Sequence, residues 1–123
     1  GCKNTEKQTE SENQKQSMIS ELAIKTMAVE KLGEGVFCAA NESANLILCQ
    51  NKNPRGQSVF VVYQKDSAKA IYEQLNPVQK VSWYDNEQLN VMLLQGIAEK
   101  NIAGNIMLLN PVTGKKIQVN KQF

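Results

Sequence analysis

The sequence predicts an α+β fold that is mostly β, an N-terminal helix packed on an antiparallel β-meander of about eight short strands. Three observations carry this. Val59-Phe60-Val61-Val62-Tyr63, Ile71-Tyr72, Val81-Ser82-Trp83-Tyr84 and Leu89-Asn90-Val91-Met92-Leu93-Leu94 are short runs rich in β-branched and aromatic residues. Polar turn clusters separate such runs at roughly eight to twelve positions, the spacing of a meander. Ahead of them, Ser17 to Leu32 is built from good helix formers. A chain of 123 residues, 41% hydrophobic, can bury one real core. The expected organisation is a polar tether over 1–17 and one globular domain over 18–123.

The tether holds no leucine, isoleucine, valine, methionine or aromatic residue before Met18, so it has nothing to bury. Its lysines and glutamates balance, and a flexible coil of this length reaches roughly 20 Å. Gly1-Cys2 at the head of such a leash resembles the mature N-terminus of a bacterial lipoprotein. That resemblance implies a signal peptide removed before Cys2, a lipid carried on Cys2, and a domain held on a cell-envelope membrane, in the periplasm or at the cell surface. Each buried acyl methylene would contribute about 0.8 kcal/mol to the anchor.

The helix is expected from an N-cap at Ser17, with Glu21 in its first turn, Lys31 in its last, and Gly33 as its stop. Ile19, Leu22, Ala23 and Met27 form the expected apolar stripe, with Thr26 as a polar interruption. The competing reading is a strand from Lys25 to Leu32, where Met27 and Val29 alternate with Ala28 and Glu30.

Strands are expected near 36–40, 46–51, 57–64, 69–75, 79–84, 89–95, 104–109 and 115–119. Asn41-Glu42-Ser43-Ala44 marks the first hairpin. A turn centred between Ser43 and Ala44 sets Cys38 opposite Cys49 and Ala40 opposite Ile47. An oxidising envelope compartment would join the two thiols, while buried free cysteines are the alternative. A four-residue loop from Glu42 to Asn45 would place the pair at a non-hydrogen-bonded position, the geometry a cross-strand bridge needs. All three prolines follow asparagine, at Asn53-Pro54, Asn76-Pro77 and Asn110-Pro111, and each pair is read as a boundary between elements. Gly96 and Gly104 are read as bulges or bends that curl the sheet toward a barrel.

The chain has no histidine, which removes histidine general bases, Ser-His-Asp triads and histidine-ligated metals together. Arg55 is the single arginine among 14 basic residues, so the bidentate donor used on phosphate and guanine is nearly missing. No cofactor or metal motif is present, and nucleic acid is not an expected partner. Trp83 and Tyr84 beside Asp85 and Glu87 form the candidate ligand-binding cluster, since an aromatic next to carboxylates can stack on a sugar and bond its hydroxyls. The competing role for Trp83 is a core anchor. Asp85 and Glu87 share one turn instead of facing each other, which speaks against a glycosidase pair. The reading as a whole is a lipid-anchored, non-catalytic envelope domain that binds a protein, peptide or glycan. A small enzyme inhibitor or assembly subunit is the alternative, ahead of a histidine-free enzyme.

Overall fold

The computed structural model describes residues 20–94 and 106–119, so Cys2, Ser17, Ile19, Gly96 and Gly104 lie outside the described residues. A helix, α1 (20–32), precedes eight strands. They are β1 (Phe37–Ala40), β2 (Leu46–Lys52), β3 (Ser58–Gln64), β4 (Lys69–Val78), β5 (Lys80–Trp83), β6 (Leu89–Met92), β7 (Ile106–Leu109) and β8 (Lys116–Val119). Every pairing is antiparallel and joins consecutive strands. The meander divides into two four-stranded sheets, β1-β2-β3-β4 and β5-β6-β7-β8. The chain steps from one sheet to the other through Gln79, between β4 and β5, while the bends expected at Gly96 and Gly104 lie outside the described residues.

The layers follow from the alternation of side chains along β2 and β3, both buried on two faces. Leu46, Leu48, Phe60 and Val62 point toward the second sheet and pack with Val81, Leu89, Val91 and Leu109. Ile47, Cys49, Val61 and Tyr63 point the other way and pack beneath α1. The order is thus helix, first sheet, second sheet, and it explains why Val59 to Tyr63 is apolar without interruption. Gln50, buried on the inner face, donates from Nε2 to Val81 O at 3.3 Å and so satisfies its amide across the two sheets.

The helix is phased differently from its expected stripe. Ile24 and Ala28 are buried, and Met27 and Leu32 pack beside them, whereas Leu22 is 66% exposed. Ile24, Ala28 and Leu32 recur every four residues, a row as good as the expected one, and fully buried Ala28 has no bulk to hold the helix off the sheet. Gly33 stops the helix as expected: its φ is 94°, and its N–H donates to Val29 O at 2.8 Å. From β2, Asn51 Nδ2 reaches Leu32 O at 2.9 Å and Glu34 O at 3.0 Å, capping carbonyls that the helix end leaves open.

One boundary is corrected. Asn76-Pro77 lies inside β4 and does not end it. β4 pairs only with β3, and the register shifts between Ser58 and Phe60, so Leu75, Asn76 and Pro77 bulge opposite Val59. An edge strand at a bulge loses no ladder bond to proline.

Candidate functional site

Four hairpin turns open on an asparagine or aspartate whose side-chain oxygen accepts backbone N–H groups further along the turn. Asn41 Oδ1 accepts from Asn45 and Leu46, both at 3.0 Å. Asn53 Oδ1 accepts from Arg55 and Gln57, both at 2.9 Å. Asp85 Oδ1 accepts from Glu87 at 2.9 Å and Gln88 at 2.7 Å, and Asn110 Oδ1 from Val112 at 2.9 Å and Thr113 at 3.2 Å. The N–H groups of Glu87 and then Gln88 hold the Asp85 carboxyl below its ordinary range.

The turns headed by Asn41, Asp85 and Asn110 gather at one end of the sandwich. Asn41, only 5% exposed, laces the first to the second, because its Nδ2 donates to Asn86 O and to Asn45 Oδ1, both at 2.8 Å. Ser43 N returns the tie by donating to Asn86 Oδ1 at 2.7 Å. Between the three turns lies a cleft of about 260 Å³ lined by Asn45, Leu46, Asn86, Glu87, Asn110, Val112 and Thr113.

Its chemistry follows from which atoms are already committed. Asn45 Oδ1 accepts from Asn41 Nδ2 and Ser43 Oγ, Asn86 Oδ1 from Ser43 N, and Asn110 Oδ1 from its own turn. With each oxygen fixed, each Nδ2 is fixed too. Among the described residues, none of these three Nδ2 groups donates to a protein acceptor, and the Glu87 carboxylate has no ion pair. The cleft therefore offers three held donors and one acceptor. Hydroxyl groups, which accept and donate at once, match that set, and the volume suits about one sugar ring.

The candidate residues read from the sequence are dispersed. Glu87 lines the cleft, and Asp85 is occupied in forming its turn. Tyr84 is exposed beside it. Trp83 packs against the core between the sheets and donates Nε1–H to Ala39 O at 3.0 Å, which pins β5 to β1. Asn45, Asn86, Asn110 and Thr113 were not legible as a set, because they come from three separate turns; their only signal was an Asn or Asp at the head of each polar cluster.

Cys38 and Cys49 face each other in the β1–β2 ladder with Cα atoms 4.0 Å apart, and a disulfide joins them. The loop is the four-residue one, 42–45, closed by Asn41 N donating to Leu46 O at 3.0 Å. Alternation from that bonded pair makes Cys38 and Cys49 a non-hydrogen-bonded pair. Among the described residues no cluster of histidine, cysteine or carboxylate side chains could hold a metal ion, and no helix is long and apolar enough to cross a membrane.

No protein-family description, curated protein or solved structure matches the chain.

Proposed function

We propose that this chain is a lipid-anchored, non-catalytic domain of a bacterial cell envelope that binds a neutral glycan in the cleft between its three turns. The observation that carries the binding role is the set of asparagine amides whose oxygens are held by the turns and whose N–H groups remain for a ligand. Anchoring rests on Gly1-Cys2 and the polar residues that follow. Glu87 is the one carboxylate among the described lining residues, so the cleft is read as a place to hold a sugar and not to cleave it.

The binding test is a titration with N-acetylglucosamine oligomers and with maltose oligomers, followed through the backbone amides of 84–88 and 110–114. Asn110→Asp keeps the turn-forming oxygen and removes the N–H donors, so it should weaken binding about fivefold to tenfold with little change in Tm. Equal affinity in the variant would remove the cleft from the reading. For the anchor, Cys2→Ser in the precursor should move the protein from the membrane fraction to the soluble one.

A second reading, a small inhibitor or assembly subunit, is favoured by the outer face of the second sheet. Met92, Ile106, Leu108, Ile117 and Val119 share that face by register, and they belong to neither core cluster. Ile117→Lys would abolish binding of a protein partner there while leaving glycan binding intact.

A further inference from the structure

We propose that β1 is a docking edge for an extended peptide that carries an apolar side chain and, two residues on, a carboxylate. This interaction is separate from the cleft and does not depend on the glycan reading.

The first sheet ends at β1, whose other side has no strand partner. Because Cys38 and Ala40 are non-hydrogen-bonded positions in the β1–β2 ladder, their N–H and C=O groups point away from β2. Among the described residues none of these four groups is taken by another backbone or side-chain group. An edge of this kind is a template for one more strand. Most short edges fray, but this one is held at three places. The Cys38–Cys49 disulfide ties it to β2, the Trp83 indole holds Ala39 O, and Asn41 fixes the turn that follows.

Beside this edge, on the helix side, runs a groove of about 250 Å³ lined by Glu21, Ile24, Lys25, Cys38, Ala40 and Ile47. Cys38, Ala40 and Ile47 share one face of the ladder, so an added strand would present alternate side chains to the same groove. Its apolar floor takes one of them. Glu21 is paired with Lys65 at 3.5 Å, whereas Lys25 has no ion pair among the described residues. The groove thus presents an unmatched cation, which selects a carboxylate at the next position on the same face of the peptide.

The probe is the octapeptide Thr-Val-Thr-Glu-Thr-Val-Thr-Glu, added to the full chain with its disulfide intact. Binding should slow hydrogen exchange at the Cys38 and Ala40 amides at least tenfold while leaving those of the cleft turns unchanged. Replacing both glutamates by lysine in the peptide, or Lys25→Ala in the protein, should weaken it about threefold to fivefold. N-methylating alternate peptide amides should abolish it. Ala40→Pro removes one outward donor from the protein side; should that variant fold poorly, the methylated peptide tests the same bond. No protection of Cys38 and Ala40 at millimolar peptide would overturn the proposal, as would indifference to N-methylation. Protection that rises with protein concentration in the absence of peptide would also overturn it, since the edge would then pair with a second copy of the chain.

Discussion

Asp85 forms its turn with a charged oxygen where Asn41, Asn53 and Asn110 use a neutral one. The difference gives one of the four turns a dependence on pH. Because the folded carboxyl is held below its unfolded value by the Glu87 and Gln88 N–H groups, the unfolded chain binds the extra proton. Its contribution is therefore complete above the ordinary aspartate value of about 3.9 and is lost as pH falls through the lowered folded value. Asp85→Asn keeps the acceptor and removes the titration, so the gap in Tm between pH 6 and pH 3 should be smaller in that variant than in the parent. An unchanged gap would mean the turn does not sense the proton. The role of these side chains was hard to read from the sequence. Abundant amides look like surface composition, and the polar clusters at 41–44, 53–56, 85–88 and 110–114 read as turns without showing which side-chain oxygens would close them. Glu87 was legible as a candidate because it neighbours aromatics, whereas apart from Asn86 the other residues lining the cleft arrive from other hairpins.

At the scale of elements, α1 depends on a residue far from it in sequence. Asn51 bonds Leu32 O, Gly33 O and Glu34 O from a position in β2, so the helix end is closed by the sheet on which it lies. Asn51→Ala should cost about 1–2 kcal/mol in urea unfolding, since the freed carbonyls can recover part of their bonding from water. Amide exchange in the last turn of α1 should accelerate along with it. The ion pairs Lys31–Glu73 and Lys65–Glu21 also tie α1 to the sheet, but each keeps at least one partner open to water and contributes little. Existence of the helix was legible from its helix formers and Gly33, but its face was not. Leu22 and Ile24 are equally apolar, and only the seat formed by Cys49, Val61 and Tyr63 decides that Ile24 turns inward. Most of the described strand ends were legible to within a residue, because turn residues punctuate them, but the strand expected over 89–95 stops at Met92. Asn76-Pro77 was misplaced for another reason, since nothing local distinguishes a turn from a bulge on an edge strand.

For the whole molecule, the division into two sheets was the feature the sequence concealed. A single residue, Gln79, separates β4 from β5, and the local pattern there is the same as along a continuous meander. What sets the layers apart is long-range burial: Val78 and Val81 both enter the shared core from opposite ends of that step. The disulfide acts on this architecture through the unfolded chain. It closes a loop with a sequence separation of 11, and loss of that closure should lower stability by roughly 3 kcal/mol on the chain-entropy model. Comparing urea midpoints for the parent and a Cys38→Ala, Cys49→Ala double variant would measure it. A last consequence comes from strand order, which in both sheets is the order of the chain. Apart from the longer connection between Met92 and Ile106, each strand finds its partner across a short turn, so little loop-closure entropy is spent before hydrogen bonds and burial return it. Sandwiches with Greek-key crossovers must first bring distant segments together; here that requirement is confined to docking one finished sheet on the other. With the disulfide intact, stopped-flow refolding should run in milliseconds, the fast end for a protein made mostly of β-strands. Refolding over seconds would place the slow step in sheet docking, and substitutions at Val81 or Leu109 would then slow it where substitutions in the turns would not.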